Sequence, residues 1–182
     1  MKIIGITGHP GSGKDTIADY FIQKGFKKTG GGDILRAKMR QLGIPIDRTG
    51  IREFAKKQRE LHGNAYPMGE VIEKITGDTV VTGLRNIAEA QRLKEEYGKD
   101  FTLIAVETPL IIRYNRAKER NREGDDITLT RFKEEEREER AADSGSHEVD
   151  KVMAIADILI INDNTKEDLF HNLDILFFKD PK

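Results

Sequence analysis

Residues 5–16, "GITGHPGSGKDT", carry four glycines and one lysine directly after the first run of β-branched residues. Gly8 to Lys14 have the spacing G-x-x-x-x-G-K, and they fall between a strand pattern and a helix pattern, the context that gives this motif meaning. A loop that gives up side chains turns consecutive backbone N–H groups toward an anion, and the following helix adds the partial positive charge of its N-terminus. Gly8, Gly11, Ser12, Gly13 and Lys14 are therefore candidates to hold the phosphates of a nucleoside triphosphate, with Lys14 between the β- and γ-phosphates. Glycines at 8, 11 and 13 do not fit the G-x-G-x-x-G spacing of a dinucleotide site. The hydroxyl that normally follows the lysine and serves Mg²⁺ is replaced by Asp15 and appears one place later as Thr16. Asp15 either holds a magnesium-bound water or is an acidic first-turn residue favoured by the helix dipole and pointing away.

Arginines supply the second signal. Arg36 is expected in the first turn of a helix beginning at Asp33, and Arg85 follows a Gly83 turn at the entrance to another helix. A cation there opposes the helix macrodipole by about 0.3–1 kcal/mol, so both placements suit an anion nearby; the alternative is that both side chains reach into solvent. In "RYNRAKERNR", Arg113, Arg116 and Arg120 share one helix face and Arg122 continues beyond it. Either Glu119 and Glu123 offset them as a solvated face, or the set closes over a transferring phosphoryl group. The four histidines are scattered without ligand spacing, and no nucleophile elbow is present.

These residues need a scaffold, and the composition supplies one. The chain has 182 residues, 37% hydrophobic and 35% charged, enough for one domain with a real core. Lys plus Arg number 31 against 32 Asp plus Glu, so no global charge draws nucleic acid or an anionic membrane. The absence of cysteine removes disulfides, thiolate catalysis and Cys-ligated zinc. The opening "MKIIGITG" is too short in its apolar run for a signal peptide or membrane helix, and the chain reads as cytoplasmic.

"KIIGIT", "TVVTG", "FTLIAVET" and "DILIIN" are β-branched runs with little alternation, as in strands covered on both faces, and "GFKKTG" is a weaker fifth. Helical stretches separate them. In "NIAEAQRLKEEYG", Ile87, Ala90, Leu93 and Tyr97 share a face and Gly98 stands where a C-cap belongs. The order predicts an α/β fold with right-handed crossovers. Residues 33–77 exceed a crossover and read as a helical insertion, with Asp33 as N-cap, a helix near 49–62 and another from Pro67. Residues 121–150 read as a flap and a following helix, whose Arg131/Glu135 and Glu136/Arg140 pairs suit exposure. No second core is evident.

These residues resemble the adenylate-kinase-like nucleoside monophosphate kinases. "GHPGSGKDT" is similar to their phosphate loop; "GGDILRA" resembles the segment whose arginine binds the acceptor monophosphate, here Arg36 with Asp33; "TGLRN" resembles the turn carrying a second acceptor arginine, here Arg85. The arginine-rich helix and flap resemble the lid, which implies Arg116, Arg120 and Arg122. "ADILIIND" resembles the strand whose following loop flanks adenine, implying Asn162 and Asn164. The likeness is closest to an archaeal group of nucleotide kinases and dephospho-coenzyme-A-kinase-like proteins, and "SGKDTIADYF" also resembles phage deoxynucleoside monophosphate kinases.

The resemblance implies a P-loop kinase, three-layer α/β/α with a five-stranded parallel sheet, a helical acceptor-binding insertion and a short lid. It implies ATP and Mg²⁺, a nucleoside monophosphate or similar small acceptor, and neither nucleic acid nor membrane as partner. Thr82 stands where the family's turn has an acidic residue that helps hold magnesium; Asp15, Asp33 or Glu107 are candidates to compensate. A small-molecule hydroxyl acceptor, with Asp15 or Asp33 as base, and a nucleotide-binding switch or partner-regulated ATPase are the alternatives.

Overall fold

In the computed structural model, which describes residues 1–120, 128–141 and 148–178, the apolar runs form one parallel sheet. Strand β1 (Ile3–Thr7) is buried along its whole length. It pairs with β3 (Thr79–Thr82) on one side and β4 (Phe101–Glu107) on the other; β2 (Lys27–Gly30) and β5 (Ile158–Ile161) complete the order β2-β3-β1-β4-β5. Every pairing is parallel, with Gly5 opposite both Val81 and Leu103. The five-stranded sheet and its flanking helices make the α/β P-loop kinase fold.

Successive side chains of a strand point to opposite faces, and β1 feeds two cores. Ile4 and Ile6 pack with Ile17 and Phe21 of helix α1 (Lys14–Gln23) and with Leu169 and Leu173 of the C-terminal helix α9 (Lys166–Phe177). Ile3 packs on the other face with Ile34, Met68, Ala90, Leu93 and Val152. Those residues come from α2 (Gly31–Gln41), α4 (Met68–Glu73), α5 (Ile87–Tyr97) and α8 (Val149–Ala154). Gly98 terminates α5 at φ +53°, as its position predicts. No described helix is long and apolar enough to cross a membrane.

The start of the insertion departs from expectation. Helix α2 begins at Gly31, so Asp33 is its third residue rather than its N-cap, and Arg36 lies beyond the first turn. The reason is close approach at the end of β2: a Cβ on Gly30 would stand 2.5 Å from the Thr82 carbonyl oxygen, and the glycines let the chain pass directly from strand into helix. A satellite cluster forms within the insertion. Leu35 and Met39 of α2 pack on Phe54 and Ala55 of α3 (Arg48–His62), with Tyr66 against them.

Leu93 is fully buried in the second core, whereas Leu159 on β5 is 55% exposed. Leu93→Ala is expected to cost about 2–5 kcal/mol in urea unfolding, and Leu159→Ala to stay within about 0.5 kcal/mol of the parent. Equal costs would contradict this assignment of the core.

Candidate functional site

All five strands point the same way, so the loops leaving the carboxyl ends of β1, β3, β4 and β5 share one edge, where ligands of open α/β sheets bind. The glycine loop leaves β1 there and enters α1. Its conformation demands glycine at Gly13, with φ +96°: a Cβ there would lie 2.2 Å from Asn162 Nδ2. Gly8 is similarly confined, since a Cβ would meet the Val106 carbonyl oxygen at 2.5 Å.

The loop is held from outside. Asn162 Nδ2 donates to the Ser12 carbonyl at 2.7 Å, and the Thr108 hydroxyl lies 3.1 Å from the same oxygen and 3.0 Å from the Asn162 carbonyl. Across its mouth, Lys14 Nζ donates to the His9 carbonyl at 2.8 Å, and His9 Nε2 is paired with Asp150 Oδ1 of α8 at 2.8 Å. Two observations fit this turn to phosphate. Among the described residues, no side chain caps the first turn of α1, whose N-cap is Gly13, and the buried Ser12 hydroxyl finds no hydrogen-bond partner. Asp15 is exposed and Thr16 half-buried in that first turn. No group of three or more potential metal-ligating side chains occurs among the described residues.

Arg116 lies at the same edge, on helix α6 (Leu110–Arg120). Its Nη1 donates to the Asn162 carbonyl at 3.1 Å and its Nη2 to the Asn164 carbonyl at 3.3 Å. The structure thus gathers Arg116, Asn162 and Asn164 around the loop after β5, although the buried Asn162 amide is directed at the phosphate loop. Arg113 is different in kind. It is 4% exposed, donates from Nε to the Thr108 carbonyl at 2.9 Å, and pairs through Nη2 with Glu136 at 2.9 Å. Glu136 of α7 (Leu129–Ala141), expected on an exposed face, is buried against Arg113, because a buried guanidinium requires a countercharge; the Glu135 and Arg140 side chains of the expected pairs lie outside the described residues. The Tyr114 and Phe132 rings meet edge-on at 5.7 Å between the same helices. Arg131 pairs with Glu134 at 3.6 Å. Arg122 and the Arg120 side chain lie outside the described residues, as do parts of the expected flap.

On the other side of β1, Arg36 Nη2 donates to Asp33 Oδ1 at 2.7 Å, both on the exposed rim of α2. Arg85 follows Gly83, which turns the chain at φ +78°. The Arg85 side chain is exposed, while its backbone N–H donates to Glu89 Oε2 at 2.8 Å and its carbonyl accepts from the Glu148 N–H at 2.7 Å. Glu89 also accepts from the Asn86 N–H at 3.2 Å, completing a capping box at the start of α5. Thr82 ends β3 and Glu107 ends β4, the latter exposed.

The sequence reading missed Glu89 and Arg59. Burial pushes the Glu89 carboxyl up to about 7, against the lowering effect of the Arg85 and Asn86 N–H groups and the Arg59 and Arg85 guanidiniums. Burial also lowers the Arg59 guanidinium, with the Glu89 charge opposing the shift and the Arg85 charge adding to it. A signal for Arg59 existed: it continues the Ile51, Ala55 stripe of α3 at four-residue spacing, where an apolar residue would be ordinary.

The native carboxyl of Glu89 retains its proton where the unfolded one, near 4.5, has lost it. Its contribution is therefore complete below about pH 4.5 and declines as pH rises through 7, by about 3 kcal/mol in total. Glu89→Gln should remove this slope, so that unfolding free energies of parent and variant diverge between pH 5 and pH 8 in the variant's favour. Parallel pH profiles would contradict the protonation assigned to Glu89.

Comparison with known proteins agrees with this architecture. A family model described as an AAA domain matches residues 4–143. A UPF0200 protein of Sulfurisphaera tokodaii is 36% identical over 170 residues, covering 92% of this chain and 91% of that one. A UPF0200/UPF0201 protein of Archaeoglobus fulgidus is 31% identical over 185 residues, covering 98% of this chain; the match spans only 56% of that longer relative. Among solved structures, shikimate kinase from Bacteroides thetaiotaomicron shares the fold with a TM-score of 0.60 at 14% identity, over 96% of this chain and 97% of the other. By the extent and identity of these matches, the chain belongs to the UPF0200 family, carrying its phosphate loop within an AAA-type domain.

Proposed function

We propose that the protein transfers the γ-phosphoryl group of ATP to the phosphate of a nucleoside or deoxynucleoside monophosphate, giving ADP and the diphosphate. The carrying observation is the juxtaposition at one sheet edge. A glycine cradle at the end of β1 stands beside the Arg85 turn that ends the neighbouring strand β3, with Arg36 on the insertion behind it.

In this reading the backbone amides of Gly8–Thr16 hold the donor phosphates, and Lys14 exchanges the His9 carbonyl for phosphate oxygen. Arg36 and Arg85 hold the acceptor, with Asp33 orienting Arg36. Arg116, Arg120 and Arg122 close over the reacting centre and offset its charge, while Asn162 and Asn164 shape the adenine side. An acceptor phosphate oxygen forms the new bond to the γ-phosphorus as the bond to the β–γ bridging oxygen breaks and ADP departs. No general base is needed, because the acceptor oxygen is already anionic; positioning and electrostatics carry the barrier. Thr16, with Asp15 through water, would hold a magnesium ion, which when bound neutralises charge on the β- and γ-phosphates. Closure must exclude water, or hydrolysis competes.

A hydroxyl acceptor is the second reading, favoured by Thr82 in place of an acidic residue and by the fold shared with a shikimate kinase. It requires a general base, and Asp33 is engaged by Arg36 at 2.7 Å.

ADP release measured over a panel of monophosphates and hydroxyl metabolites tests the proposal. Turnover should require one monophosphate. Lys14→Ala should reduce it at least about 10²-fold, and Arg85→Ala should raise the acceptor KM about tenfold or more while leaving the KM for ATP nearly unchanged. Turnover only with a hydroxyl acceptor, or only acceptor-independent hydrolysis, would refute the proposal.

A further inference from the structure

The two edges of the sheet are built differently. At one edge β2 presents the exposed side chains of Lys27 and Lys28, and charge of this kind keeps an open strand from pairing with another chain. At the other edge β5 consists of Ile158, Leu159, Ile160 and Ile161, with no charge or proline to guard it. Ile158 and Ile160 face the core shared with α1 and α9, so by alternation Leu159 and Ile161 face the opposite side, where α5 and α8 pack on β4. Leu159 is 55% exposed there and Ile161 50%. Among the described residues β5 pairs with β4 alone, and the main-chain groups on its outer side meet no further strand.

Two open apolar residues, two positions apart, suit a second copy of the same strand. A two-fold axis normal to the sheet sets the paired strands antiparallel and keeps like faces together, so opposed residues must share a face. With Ile160 on the axis, Leu159 of each copy stands opposite Ile161 of the other, and the exposed side chains cover one another. The same register brings Asp163, exposed beyond the strand, opposite Asp157, whose Oδ1 lies 3.5 Å from Lys94 Nζ. The Lys94 side chain is 63% exposed, so it can serve both the carboxylate of its own copy and the incoming Asp163.

We propose that the open edge of β5 is a self-association surface, at which two copies of this chain join their sheets antiparallel about Ile160. A strand of unrelated sequence would satisfy the main-chain groups alone. A second β5 also matches Leu159 to Ile161 and Lys94 to an acid, twice over. The joined strand runs directly into Asn162, whose amide holds the Ser12 carbonyl, so the interface borders the brace of the phosphate loop. Nothing in this pairing depends on which acceptor the site takes.

Sedimentation equilibrium of the full chain, over about a hundredfold range of concentration, tests the proposal; a reversible dimer should fill with rising concentration. Leu159→Lys and Ile161→Lys should each raise the dissociation constant about tenfold or more. Leu159→Thr, which keeps a strand-forming side chain but sheds most of the apolar one, should weaken the dimer less and guards against a folding defect. Asp163→Lys should weaken it severalfold at low salt, with the difference shrinking as salt is added. Lys28→Ala, on the guarded edge, should leave the equilibrium unmoved. A monomer at every concentration overturns the proposal, as does a dimer indifferent to both lysine substitutions on β5 or one dispersed by Lys28→Ala. A dimer lost with Leu159→Lys but unaffected by Asp163→Lys at low salt overturns the register about Ile160.

Discussion

The carbonyl oxygen of Ser12 is the point on which the site depends. A glycine-rich turn has little packing of its own and loses more backbone entropy on ordering than any other sequence, so its shape must be imposed. Asn162 from the end of β5 and Thr108 from the end of β4 converge on that one oxygen. The same Asn162 amide occupies the space a side chain on Gly13 would need. The glycines therefore do two things: they permit the left-handed turn, and they admit the groups that hold it. This arrangement requires β4 and β5 to lie in sequence beside β1, which the sheet order supplies.

Charge on the far side of the site is organised by the same economy. Arg113 is buried against Glu136, which docks α7 on α6. A pair as deeply buried as this is poor evidence of net stabilisation, but removing one partner strands the other, and the pairing fixes how the two helices sit. Arg116 braces the loop after β5 through two carbonyls. Of the arginine cluster, then, Arg113 is structural and Arg116 props the loop after β5. The start of α8 links the turn after β3 to the phosphate loop, because the Glu148 N–H meets the Arg85 carbonyl while Asp150 in the first turn meets His9.

The β-branched runs and the glycine spacing made the sheet and the phosphate loop readable from sequence, since one depends on short continuous apolar runs and the other on a seven-residue spacing. Arg85 does stand at a helix entrance, just before the N-cap Asn86 of α5, whereas Arg36 lies beyond the first turn of α2, whose start was misjudged where Gly30 closely approaches Thr82, a non-local contact. The exposure of Glu136 was misjudged for a related reason: its place on a charge-rich helix suits solvent, and only the fold brings Arg113 within 2.9 Å. Glu89 and Arg59 lie 30 residues apart in sequence, and no spacing rule joins an acidic capping residue to an arginine on another helix. Buried charge clusters arise from tertiary packing, and an arginine inside an apolar stripe is the only local trace they leave.

The central claim is that main-chain amides at the head of α1, with Lys14, grip a polyphosphate. Backbone amide NMR shifts of Gly11–Thr16, recorded with ATP·Mg²⁺ and separately with adenosine, test it most directly. The account predicts large changes across these six amides with ATP and little there with adenosine. Equal responses to both ligands, or a response to ATP confined to other residues, would contradict it.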